Sequence, residues 1–140
     1  LPVTHKEMTR FWISLEEGVE FVLKSLSLMK GGEIFIPKIP SIKIVDLVKA
    51  LGPKLNYHVI GIRPGEKLHE ILCPKDSSKE TIEFKKYFLI RPSIDVPHAK
   101  LSNFIYNNLG EKGKMVKEDF IYSSDKNKNY LSVSQIKKII

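Results

Sequence analysis

Residues 14–37, SLEEGVEFVLKSLSLMKGGEIFIP, decide the fold class. Ser14-Leu15-Glu16-Glu17 has the form of a capping box, in which the Ser14 hydroxyl accepts from the N3 amide and the Glu17 carboxylate reaches back to the cap amide. Leu15, Val19, Val22, Leu23, Leu26 and Met29 then recur at helical spacing. This predicts an amphipathic helix whose Leu and Met stripe belongs in the core. Gly31-Gly32, free to take positive φ, end it, and Glu33-Ile34-Phe35-Ile36-Pro37 reads as a short apolar strand. The passage then repeats. After the preorganised loop Lys38-Ile39-Pro40-Ser41, Ser41 is expected to cap a second helix with Ile44, Leu47, Val48 and Leu51 on its buried face, ended by Gly52-Pro53. Residues 57–62 supply another short strand. Two consecutive helix-to-strand passages point to an α/β arrangement rather than an all-helical one.

That last strand runs into Gly61-Ile62-Arg63-Pro64-Gly65-Glu66-Lys67-Leu68-His69-Glu70. Pro64 and Gly65 stop the strand, and Glu66 onward reads as the first turn of a helix. Of the 23 basic residues only Arg10, Arg63 and Arg91 are arginine. An Arg at a sharp turn suits a planar fork that grips a carboxylate or phosphate through two hydrogen bonds. The residues alone leave two uses open for Arg63: anion binding, or pairing with Glu66 or Glu70 to hold the turn. Arg10 poses the same question beside the only Trp, Trp12, with Phe11, Trp12 and Ile13 packing onto the core as the plain alternative.

Composition bounds the partners. At 140 residues and 42% hydrophobic the chain has ordinary single-domain size. The opening Leu-Pro-Val-Thr, without an initiator Met, reads as a loop entered from something earlier. No apolar run reaches the length of a membrane span, and no signal-peptide pattern is present. A single Cys73 rules out an internal disulfide and suits a reducing cytoplasm. The formal charge of +7 suggests an anionic partner. The lysines are nevertheless scattered among Asp and Glu without interleaved aromatics, which argues against nucleic acid and leaves a nucleotide or phosphorylated small molecule.

The rest of the chain carries little chemistry. Thr81 to Ile90 is a β-rich run, and Arg91 after it reads as surface. From about Asp95 the composition turns to Asn, Lys, Ser and Gly, which predicts a tail that wraps the domain, with a short terminal helix capped by Ser132 and Gln135. The expected division is therefore 1–93 and 94–140. His5, His58, His69 and His98 lie too far apart for a metal site. Cys73 reads as a small buried hydrophobe rather than a nucleophile. Tyr122 and Lys126 match a Y-x-x-x-K spacing, but turn-forming flanks argue against the helix such a catalytic pair needs. Neither a G-x-x-x-x-G-K-[ST] loop nor a G-x-G-x-x-G turn is present.

Together, Leu1-Pro2-Val3-Thr4, Met8-Thr9-Arg10-Phe11-Trp12-Ile13, residues 31–41 and residues 61–70 resemble the C-terminal part of the inverting UDP-N-acetylglucosamine 4,6-dehydratases. These are extended short-chain dehydrogenase/reductase enzymes that feed pseudaminic acid and related capsule or flagellin sugars. The resemblance runs in order from Leu1 to about Ser93 and continues more weakly through residues 120–124 and 131–133. It implies the fold class: the substrate-binding part and last strand-helix elements of an NAD(P)-binding Rossmann-type enzyme, incomplete, with the N-terminal Rossmann part missing.

By the same resemblance the whole enzyme is a cytoplasmic, homo-oligomeric lyase. It uses NADP to oxidise C4 of the sugar, eliminates water across C5 and C6, and returns the hydride at C6 with inversion at C5. The cofactor turn and the catalytic Tyr/Lys pair belong to the N-terminal part, so this chain is expected to hold no catalytic residue and to bind no NADP alone. Pro2, Val3 and Thr4 match the loop lining the nucleotide. Arg10 and Arg63 match the arginines that hold the diphosphate, and Glu66 sits near the ribose or orients Arg63. The substrate implied is UDP-N-acetylglucosamine. The competing reading is a non-catalytic α/β module that binds a nucleotide sugar, or a remnant with no ligand.

Overall fold

A computed structural model describes residues 1–95 and 100–140. In chain order the elements are β1 (Pro2–Val3), β2 (Thr9–Phe11), α1 (Leu15–Leu28), β3 (Ile34–Pro37), β4 (Ser41–Lys43), α2 (Ile44–Leu51), β5 (His58–Val59), β6 (Ile71–Cys73), β7 (Thr81–Glu83), β8 (Tyr87–Ile90), β9 (Lys114–Met115), β10 (Tyr122–Ser123) and α3 (Val133–Ile136). Short 3₁₀ turns lie at Lys75–Glu80 and Leu101–Ile105. The mixed α/β class holds. The chain forms two compact units, each discontinuous in sequence: Leu1–Trp12, Ile39–Ile71 and Tyr122–Ile140 in one, Ile13–Lys38 and Leu72–Ile121 in the other. Residue 93 falls inside the second.

The second unit is built on an antiparallel sheet ordered β3-β8-β7-β9. Alternation along β8 sends Tyr87 and Leu89 into a core with Leu28, Ile82, Phe84 and Phe104. Phe88, on the opposite face, meets Phe120 at a ring separation of 4.8 Å. Gly113 is required by close approach, because a Cβ there would lie 2.3 Å from Ile82 Cγ2. Cys73 is fully buried with its sulfur 3.3 Å from Thr81 Oγ1, and burial pushes its thiol pKa up, the opposite of an activated nucleophile. Arg91, expected at the surface, is half-buried and turns its guanidinium to the Leu101 carbonyl.

Helix α1 has the predicted capping box: Glu17 N donates to Ser14 Oγ, and Ser14 N to the Glu17 carboxylate. Its apolar stripe does not reach the core as expected. Leu15 is 79% exposed and Leu23 62%, with Val19, Val22, Leu26 and Met29 at half exposure or more. The helix instead seats itself through Leu28, which is buried, and half-buried Phe21. These two lie seven residues apart, two turns along the same face.

In the first unit β1 runs parallel to β5, and β2 pairs antiparallel with β4 in the register Arg10 to Ile42. Three expectations fail here. Ser41 does not cap the second helix. It lies fully buried in β4, where its amide donates to Asn129 O and its carbonyl accepts from Leu131 N, and α2 starts after Lys43 with no side-chain cap. Leu51 is 58% exposed, because α2 turns Val48 and Ala50 inward instead. Of residues 57–62 only His58–Val59 is strand. The core joins Ile42, Ala50 and Ile136, with Trp12, Leu47, Leu131 and Val133 packed against it. Ile136 is delivered by α3, whose Ser132 and Gln135 form the predicted capping box.

Candidate functional site

Residues 63–70 turn back on themselves before β6. The Glu66 amide donates to the Arg63 carbonyl at 3.0 Å, with Pro64 and Gly65 in the middle and Gly65 at φ 78°. Pro at the second position and a positive-φ glycine at the third define a type II turn. The helix expected from Glu66 is absent: residues 66–70 are irregular, and the Lys67 and Leu68 carbonyls accept from the Arg10 guanidinium instead of from helix amides. The Glu66 carboxylate stitches the turn shut by accepting from the Arg63 amide at 3.2 Å.

This geometry separates the two arginines. Arg10, in the middle of β2, is only 24% exposed, and its guanidinium is nearly saturated. Nη1 donates to the carbonyls of Thr9 at 2.7 Å and Leu68 at 3.2 Å, and Nη2 donates to Lys67 O at 2.9 Å. Glu70 lies 3.6 Å from Nε, and Glu66 3.9 Å from Nη2. The carboxylates that the sequence offered to Arg63 thus face Arg10, which serves as the anchor of the turn. Arg63 is exposed, and its guanidinium has no hydrogen-bond or ion-pair partner among the described residues. The fork is carried by the first residue of a braced turn and is exposed to solvent.

The remaining expected residues lie in the same unit. Pro2 and Val3 pair with His58 and Val59, and Ile60 N donates to Val3 O at 2.9 Å, so β1 flanks the strand that leads into the turn. Thr4 is buried, with its hydroxyl 3.2 Å from Met8 Sδ and 3.4 Å from the Glu66 carboxylate. Thr4, Arg10 and Glu66 are joined directly, Arg63 belongs to the same turn, and Pro2 and Val3 form the strand beside it. The chemistry available is anion recognition by a forked cation with a carboxylate close behind it.

Sequence reasoning missed what holds this turn from behind. Thr9 Oγ1 is 2.8 Å from His69 Nδ1 and 2.6 Å from Ser124 Oγ, and Ser124 bonds the Glu70 backbone. Nothing in the spacing links positions 115 residues apart. Tyr122 also has a structural use. Its phenol accepts from the Ile39 amide and donates to the Ile39 carbonyl, burial raises its pKa, and it lies on β10 rather than on a helix with Lys126. No cluster of metal-ligating side chains is present among the described residues, and His98 lies outside them. No helix among them is long and apolar enough to cross a membrane.

Comparison with known proteins gives this geometry a context. The chain is 54% identical, over all 140 residues, to a UDP-N-acetylglucosamine 4,6-dehydratase (inverting) of Campylobacter jejuni, and covers 42% of that protein. It is 32% identical over its full length to a UDP-glucose 4-epimerase of Rickettsia akari, covering 40% of it. The whole chain superposes on the X-ray structure of Pen from Bacillus thuringiensis with a TM-score of 0.76 at 27% identity, over 39% of that chain. It thus spans less than half the length of each. The sequence model of the polysaccharide biosynthesis protein family matches residues 1–92, most of the chain, and the chain belongs to that family.

Proposed function

We propose that this chain supplies the diphosphate-binding side of a UDP-sugar site, with Arg63 as the principal ligand. The observation that carries the reading is the exposed Arg63 fork, without a partner among the described residues, on the first residue of a turn braced by Glu66 and Arg10. A guanidinium in that position binds a diphosphate bidentately without first breaking an internal ion pair. Arg10 adds positive potential from below, Glu66 fixes the Arg63 backbone, and Pro2, Val3 and Thr4 line the approach. Residues 1–93 carry these contacts. Two similar proteins named for different reactions share a UDP-sugar, which supports assigning the UDP part of the substrate to the segment they have in common.

The parent activity we propose is the dehydration of UDP-N-acetylglucosamine with inversion, in a cytoplasmic homo-oligomer with a Rossmann-type cofactor part and NADP. Among the described residues, the N-termini of α1 and α2 do not have the make-up of a dinucleotide cradle. Ser14 and Glu17 already fill the N-terminus of α1, and Lys43 stands where a glycine turn would open α2. No chemical step is therefore assigned to this chain. Isothermal titration of the purified chain with UDP tests the reading. We expect saturable binding, weakened about tenfold in Arg63→Lys and further in Arg63→Ala. An unchanged dissociation constant in both variants, or no binding by the unaltered chain, overturns it.

A further inference from the structure

The turn is braced in front by Arg10 and Glu66, and from behind by a buried relay of hydroxyls that none of the expected site residues includes. Ser124 is fully buried and grips Glu70 on both sides: the Glu70 amide donates to Ser124 Oγ at 2.9 Å, and the Ser124 amide donates to the Glu70 carbonyl at 2.8 Å. Thr9, 3% exposed, places Oγ1 between Ser124 Oγ at 2.6 Å and His69 Nδ1 at 2.8 Å. The Thr9 carbonyl in turn accepts from Arg10 Nη1, and the Tyr130 phenol donates to the Ser124 carbonyl.

The Tyr130 phenol also hydrogen-bonds the Thr9 side chain, so Thr9, Ser124, His69 and Tyr130 close together around the Glu70 backbone.

We propose that Thr9 and Ser124 are positioning residues. By fixing His69 and Glu70 they set the register of the 63–70 segment and so the direction of the Arg63 fork. The segment's entry is held by the Arg63–Glu66 turn and its exit by this relay, which leaves the fork's backbone no free end to swing on. The inference rests on the UDP-site reading for its consequence in binding, but not for its effect on the loop.

Two measurements test it. In Thr9→Val, which keeps the shape of the side chain and removes the hydroxyl, the Glu70 amide should exchange with solvent about tenfold faster, while amides of β7 and β8 in the other unit stay unchanged. Thr9→Ser should restore protection. Ser124→Ala gives the same readout if Thr9→Val does not fold. Unchanged exchange at Glu70 in both hydroxyl-deletion variants overturns the proposal. UDP affinity should fall about tenfold in Thr9→Val and recover in Thr9→Ser. Loss of loop protection with UDP affinity intact refutes positioning of the fork, whereas no binding of UDP by the unaltered chain refutes the function reading alone.

Discussion

Replacing Arg10 with Met isolates what its guanidinium contributes, because Met keeps a long apolar stem while removing every donor. The unaltered side chain makes three hydrogen bonds to carbonyls, at 2.7, 2.9 and 3.2 Å. A hydrogen bond from a charged group contributes about 1.5–3 kcal/mol, and the lower end applies at 24% exposure. The bond to Lys67 O, at the exposed end, counts for less. The ion pairs to Glu66 and Glu70, at 3.9 and 3.6 Å, are long and partly solvated and add only a few tenths of a kcal/mol. The expected loss is about 2–4 kcal/mol, which in a domain of this size is a large share of total stability. Urea unfolding followed by Trp12 fluorescence reads it directly, since the sole Trp packs on the core of the same unit. Arg10→Lys should recover only a minor part, because one ammonium cannot reach three diverging carbonyls. If the hydrogen bonds dominate, raising salt to about 0.5 M changes the difference little, whereas surface ion pairs would be screened. A loss below about 0.5 kcal/mol, or one abolished by salt, refutes the anchor role.

Other perturbations probe separate parts of the chain. Leu23→Gln on the exposed face of α1 should change unfolding free energy by less than about 0.5 kcal/mol. A loss of the 2–5 kcal/mol typical of a core leucine would show that the residue is buried. Burial raises the Tyr122 phenol above its ordinary 10.0, so its contribution is complete below that value and lost as pH climbs through the raised one. Tyr122→Phe should flatten the alkaline fall in stability, and an unaltered alkaline slope counts against the coupling. Glu66→Gln keeps the acceptor for the Arg63 amide and removes a negative charge near the fork. UDP should then bind a few-fold more tightly if Glu66 is only a brace, while weaker binding of UDP with unchanged binding of 2′-deoxy-UDP would assign Glu66 to the ribose.

Much of the fold was legible because it is written in local rules. The capping boxes at Ser14 and Ser132 are reciprocal bonds over three residues, and the β7–β8 run carries its own alternation. What failed is decided by distant partners. The stripe from Leu15 to Met29 identifies an amphipathic helix, but periodicity does not say what covers a face, and among the described residues α1 reaches the core through Phe21 and Leu28. Ser41 has the composition of a cap, yet Asn129 and Leu131 take its backbone and Asn127 its hydroxyl, drawing it into a strand. In the site, the sequence singled out Thr4, Arg10 and Glu66, which the fold joins directly, and Arg63 on the same turn. It was silent on Thr9, His69 and Ser124, because a buried hydroxyl relay has no spacing of its own.

The two arginines carry the same charge and do different work, and the difference follows from donor accounting. A guanidinium has five N–H groups, and a diphosphate draws on at least two of them in parallel. Arg10 offers none cleanly, since Nη1 is divided between two carbonyls, Nη2 serves a third, and Nε faces a carboxylate. Arg63 offers all five. Were Arg10 absent, however, Glu66 and Glu70 would lose the cation that now faces them, leaving Lys67 and Arg63 as the neighbouring cations in sequence. The half-buried arginine thus faces the carboxylates that the bare sequence offers to Arg63. On the proposed reading, recognition and readiness are divided between two residues 53 positions apart, and neither role can be read from the arginine itself.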